Sequence, residues 1–166
     1  QEQGSVALET MLRGICKKEN FLDLLENFVL YDHSGGHTTK ILARNHQYLG
    51  VNEAVKAYEA RKLNNGKLGV FWHTQGSGKS YSMVFLAQKI RRKFSGSPTI
   101  VILTDRDELN IQISDTFENC GILGNAKASQ FIASSGDDLV QKLKGNPSFI
   151  FTLIQKFNKP DAAPIF

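Results

Sequence analysis

His73-Thr74-Gln75-Gly76-Ser77-Gly78-Lys79-Ser80 is the stretch on which the reading of this 166-residue chain turns. The apolar run Leu68-Gly69-Val70-Phe71-Trp72 precedes it, and an amphipathic helical pattern from Tyr81 to Phe94 follows. A strand, a glycine-rich loop, Gly-Lys-Ser and a helix in that order make a phosphate cradle. Gly76 and Gly78 can take the positive φ angles that turn successive backbone N–H groups toward one anion. The helix beginning near Lys79 adds the positive end of its dipole. Lys79 brings an ammonium for the β- and γ-phosphates, and the Ser80 hydroxyl stands where it can ligate Mg²⁺.

The pattern GxxxxGK(S/T) of a P-loop places a glycine five residues before the second one. Here that position is His73, which reads as a strand-end residue rather than a catalyst. The flanking strand and helix patterns supply the context that separates a nucleotide-binding loop from a bland Gly/Ser turn.

Working outward, a composition of 41% hydrophobic and 22% charged residues excludes a disordered chain and predicts one domain with a real core. No apolar run approaches the roughly 20 residues that span a bilayer, so no membrane association is expected. The polar start Gln1-Glu2-Gln3-Gly4 carries no leader pattern, and a first residue other than Met suggests a piece of a longer chain. Cys16 and Cys120 lie far apart without metal-type spacing, which predicts reduced thiols and a cytoplasmic location. Charge is uneven. Residues 1–60 hold six basic against eight acidic side chains, and residues 61–166 hold fourteen against eight. A basic second half suits a polyanion such as nucleotide or nucleic acid, or is simply a solvated lysine-rich surface.

Periodicity divides the chain into residues 1–62, 63–158 and 159–166. The first region reads as helical from Ser5, with Asn20 as N-cap of a helix over Phe21–Leu30, a glycine-marked loop at residues 32–37, and a second helix through Tyr48, Val51, Val55 and Tyr58. From Lys67 the pattern alternates. Leu68–Trp72, Thr99–Leu103 and Phe149–Leu153 are unbroken apolar runs, as in strands covered on both faces. Between them lie helical stretches over Ser80–Phe94, Asp107–Phe117 and Asp137–Lys144, the last with Ser135 as N-cap and Gly145 as stop. Alternation of this kind predicts an α/β fold with a parallel sheet flanked by helices. The segment Lys159–Pro164 reads as a linker. Lys89, Arg91, Arg92 and Lys93 close the loop helix, where cations complement the dipole; a structural role comes first for them and a nucleic-acid role second.

Asp105 has two readings. It ends a hydrophobic strand as a Walker-B carboxylate would, and it also precedes Arg106-Asp107-Glu108-Leu109, where an N-cap belongs. The cap is favoured. No other strand ends in an acidic pair, so the phosphate-binding half of an ATPase is visible without a clear hydrolytic half.

Four segments then carry a resemblance. They are Ala43–Tyr48 with Val51–Val55, Gly69–Ser80, Leu103–Leu109 with Gln112, and Phe151–Phe157. In this order they resemble the segment before motif I, motif I, motif Ia and the strand before motif II of the first RecA-like motor domain of superfamily 2 DNA translocases. The likeness is greatest to the R (HsdR) subunits of type I restriction enzymes, in which His at the position of His73 is the usual form. The resemblance implies an ATP- and Mg²⁺-dependent motor that moves double-stranded DNA before endonucleolytic cleavage, working beside specificity and methyltransferase subunits. Thr74, Gln75, Gly76, Ser77, Gly78, Lys79 and Ser80 would grip the triphosphate, Lys79 would be catalytic and Ser80 would hold the metal. Gln47 would read adenine, and Arg106, Thr152 and Lys156 would contact the DNA backbone. The motif II carboxylates, the second RecA-like domain with its arginine finger and the nuclease residues are not found in the sequence. The reading is therefore a truncated RecA-like P-loop domain that binds nucleotide without turnover. Two alternatives stay open: a small P-loop phosphotransferase using Asp105 as Walker B, and a non-catalytic interaction fragment.

Overall fold

The structure, a computed structural model, describes residues 7–157; the expected linker at 159–166 and the expected helix start at Ser5 lie outside them. Two compact units are present. One takes the described residues up to Tyr31 together with Thr39–Lys89, and the other takes Asp32–Thr38 together with the described residues from Ile90 onward.

In the first unit, α1 (Ala7–Gly14) and α2 (Lys18–Asn27) lead into β1 (Val29–Asp32), which pairs with β2 (Thr39–Leu42) in a two-stranded sheet. The all-helical expectation for this region fails at Val29. Along β1, buried Leu30 and Asp32 alternate with the less buried Val29 and Tyr31, which is the period of a strand. Asn20 is not the cap of α2. It lies inside the first turn, and its Nδ2 donates to the Gly14 carbonyl at 2.8 Å, tying the start of α2 to the end of α1.

α3 (Asn45–Glu59) and α4 (Lys79–Lys93) complete this unit up to Lys89. Its core holds Phe28, Val51, Val55, Val84 and Phe85, all buried, with the Phe28 ring against Tyr48 at 4.7 Å and Phe85 at 5.6 Å. One side of that core is polar. Lys89 pairs with Asp23 and donates to Asn52 Oδ1 at 2.6 Å, and Asn27 Nδ2 donates to Asp23 at 2.9 Å. The ammonium stands 4.9 Å from the Phe28 ring centre. Lys89 is thus a buried structural cation, not part of a solvated basic cluster.

Leu68–Trp72 does not form the expected strand. Among the described residues no strand pairs with it, so its backbone has no ladder bonds. All five residues are exposed, Val70 and Trp72 most of all at 96% and 78%.

The second unit is built on β3 (Ile100–Thr104) and β4 (Phe149–Leu153), which run parallel with Ile100 opposite Phe149 and Thr104 opposite Leu153. On the far side of β4, Ile132 makes a parallel bridge to Phe151, through bonds from Ala133 N to Phe151 O and from Phe151 N to Phe131 O, both 2.9 Å. β4 is therefore flanked on both edges. It is also covered on both faces. Phe149 and Phe151 meet Phe117 of α5 (Asp107–Asn119) edge-on at 5.5 and 5.3 Å. Ile150 packs with Ala133 and with Leu139 of α6 (Gly136–Lys144), alongside Val101, Leu143 and Phe157. The expected α/β architecture with a parallel sheet and flanking helices is present. Ser135 caps α6 as read, its hydroxyl accepting from Asp138 N at 3.1 Å.

Asp105 is not the cap of α5. Arg106 occupies that position, with no side-chain bond to the helix. The Asp105 carboxylate instead turns to the Arg106 guanidinium at 3.4 Å, and both are exposed.

Candidate nucleotide-binding site

The glycine turn and the start of α4 make the loop that the sequence predicts. Gly76 and Gly78 have φ of 75° and 86°, values at which a side chain would be strained. The Thr74 carbonyl closes the turn, accepting from Ser77 N at 3.3 Å and Ser77 Oγ at 2.7 Å. α4 begins at Lys79, and its first N–H groups have no partner within the helix. Lys79 is exposed and pairs with no carboxylate among the described residues. Ser80 lies half-buried on the first turn. Thr74, Gln75 and Gly76 are exposed beside them.

α3 supports the loop from behind. Gln47 is buried, and its amide is used at both ends: Oε1 accepts from Arg44 N at 2.8 Å, and Nε2 donates to Gly78 O at 3.0 Å. A Cβ on Gly78 would stand 2.8 Å from that Nε2, so the glycine is needed for space as well as for φ. In this arrangement Gln47 holds the loop to the start of α3. His46 reaches the Ser77 carbonyl through Nε2 at 3.3 Å.

Three residues that sequence reasoning passed over complete the seat. Residues 46 and 50 lie one above the other on α3. Phe71 fits over Gly50, where a Cβ would meet Cε2 of the ring at 1.9 Å, and His73 meets His46 edge-on at 4.9 Å. Phe71 and His73 touch at 4.2 Å. A polar residue four positions before a glycine in a helix was the available signal for His46 and Gly50. His73 is 7% exposed, and its proton affinity is depressed by burial first and then by His46 and Lys79. The imidazole is accordingly neutral near pH 7.

These groups fit a triphosphate with its divalent ion. The loop offers backbone N–H groups, the Lys79 ammonium and the hydroxyls of Thr74 and Ser80, while the Ser77 hydroxyl is spent on the Thr74 carbonyl. No cluster of three or more metal-ligating side chains exists among the described residues.

The residues expected to face DNA belong to the second unit and have different fates. Arg106 is exposed. Lys156 is half-buried, its ammonium bound to the Ala133 carbonyl. Thr152 is fully buried, and its hydroxyl has no partner among the described residues. Thr152 is placed inside this unit because β4 is flanked on both edges and covered on both faces. At the C-terminal ends of the two strands, Gln155 Nε2 donates to Asp105 O at 2.9 Å.

Residues 46–165 match the model of the SWI2/SNF2 ATPase family, and the chain belongs to that family. It is also similar to the type I restriction enzyme HindI endonuclease subunit of Haemophilus influenzae, 40% identical over 156 residues, covering 90% of this chain and 15% of that protein. A Methanocaldococcus jannaschii protein named for the MjaIXP endonuclease subunit of a type I restriction enzyme is 33% identical over 159 residues, covering 92% of this chain and 14% of its own length. The chain thus spans about one-seventh of the relatives it matches. No helix among the described residues is long and apolar enough to cross a membrane.

Proposed function

We propose that this chain is the ATP-binding part of the DNA-translocating motor of a type I restriction enzyme R subunit. The observation that carries the proposal is the loop at the head of α4, an anion cradle with an unopposed Lys79, in a chain of the SWI2/SNF2 ATPase family. In this reading the loop from Thr74 to Ser80 holds the phosphates of ATP. Lys79 neutralises charge on the β- and γ-phosphates, and Ser80 ligates Mg²⁺. Gln47, already bonded to Gly78, has one amide hydrogen and one lone pair left with which to meet an adenine edge. Arg106, and Lys156 where it is exposed, fix a DNA phosphate backbone without reading bases. Double-stranded DNA and the specificity and methyltransferase subunits of a cytoplasmic restriction complex are the partners this reading implies, and cleavage belongs to residues outside this chain.

Calorimetry with ATP and Mg²⁺ tests the site. The wild-type chain is expected to bind, and Lys79→Ala to lose at least tenfold in affinity, about 1.4 kcal/mol. A folded wild-type chain without nucleotide affinity would overturn the assignment. Binding is expected without turnover. DNA-stimulated hydrolysis by this chain in a single-turnover assay would show that the catalytic set is present after all, and loss of DNA-independent hydrolysis in Asp105→Ala would restore the phosphotransferase reading.

A further inference from the structure

We infer that His73 contacts the nucleotide directly, its buried Nε2 meeting a phosphate oxygen of the bound triphosphate. This rests on the reading of the loop as a nucleotide site and adds a side chain to it at a position where the P-loop pattern has none. Nε2 is buried and has no hydrogen-bond partner among the described residues. A buried polar atom left unpaired is destabilising, so a partner that arrives with the ligand accounts for keeping an imidazole here. The ring is held edge-on between Phe71 at 4.2 Å and His46 at 4.9 Å, and His46 is itself bonded to Ser77 O of the loop.

The surroundings indicate which kind of partner. The charged and titratable groups acting on His73 are Lys79 on α4 and His46 on α3, and neither is acidic. An imidazole seated beside a lysine and a second histidine is matched by an anionic acceptor. Burial and those same neighbours keep His73 neutral, so its N–H adds a donor to the cradle without adding a second buried charge beside Lys79. Glycine, the usual occupant in the P-loop pattern, has no side chain with which to offer that donor.

The test uses the chain labelled with ¹⁵N-histidine at pH 7.5, with the His73 signal assigned by its loss in His73→Phe. ATP with Mg²⁺, tripolyphosphate and adenosine are added in separate titrations. The His73 Nε2 resonance is expected to move with ATP and with tripolyphosphate, and to stay still with adenosine. His73→Phe, which keeps a flat ring in the seat, is expected to bind ATP about tenfold more weakly, with His73→Gln recovering part of the loss. A response to adenosine in place of tripolyphosphate would overturn the phosphate assignment. ATP binding that depends on Lys79 but leaves the Nε2 resonance unmoved would overturn the inference and leave the nucleotide site standing. No binding of ATP or tripolyphosphate by the folded wild type would remove both. If His73→Phe proves unstable, His73→Gln supplies the assignment, and the wild-type titrations still decide the matter.

Discussion

Asp23 shows how a single residue links the helical start of the chain to the helix that carries the nucleotide loop. Burial opposes its ionisation, but bonds from Lys89, Asn27 and Asn52 outweigh that, and the carboxyl is held below its ordinary value of 3.8. The ionised form is the one the fold prefers. Its contribution is complete above 3.8 and is lost as pH falls through the lowered folded value. Asp23→Asn should destabilise the chain at pH 7 by about 2 kcal/mol, the low end for a broken buried pair because Asp23 keeps some water. In denaturant titrations the gap to wild type should close as pH falls through the lowered folded value; a gap that persists in acid would mean that packing, not charge, is lost. Lys89 could not be recognised as buried from sequence, because it stands beside Arg91, Arg92 and Lys93 in a run that looks solvated. Only the fold brings Asp23 and Asn52 to it, from residues 66 and 37 positions away.

Among the elements, the seat of Phe71 on α3 is the most exposed to test. Alanine at Gly50 would gain about 1 kcal/mol of helix propensity, but its Cβ would stand inside the Phe71 ring. Overpacking of that kind costs about 1–3 kcal/mol. Gly50→Ala is therefore expected to lower stability in denaturant unfolding and, by displacing the ring that touches His73, to weaken ATP binding. A variant as stable as wild type would show that Phe71 has no fixed seat. The same segment marks a limit of pattern reading. Phe149–Leu153 and Leu68–Trp72 are equally apolar runs, yet only the first is a strand, because β3 and Ile132 bond its backbone. β1 was hidden for the converse reason: Phe28-Val29-Leu30 continues the apolar content of α2, and the change of period at Val29 is only four residues long. α3 to α6 were legible, since their apolar stripes and the Ser135 cap are local signals. Within the site, the loop from Thr74 to Ser80 was legible from spacing, while His46, Gly50 and the enclosure of Thr152 depend on contacts between distant stretches.

At the scale of the whole molecule, charge is the property to follow. The surplus of basic over acidic residues lies after residue 60, and a DNA-backbone role for Arg106 predicts a sequence-independent, salt-sensitive affinity. In fluorescence anisotropy with mixed-sequence duplex DNA, Arg106→Ala should weaken binding to the same degree for every sequence and reduce the slope of log affinity against log salt by about 1. An unchanged slope would take Arg106 off the DNA.

Trp72 is the only tryptophan in the chain; it points to solvent from the segment whose other side seats Phe71 and His73. The protein therefore carries one intrinsic optical probe one residue from the imidazole assigned to the nucleotide. Ligand-induced tightening of the loop, or any strand or surface that comes to cover Val70 and Trp72, will be readable as a change in the emission and quenching of a single fluorophore, with no label added.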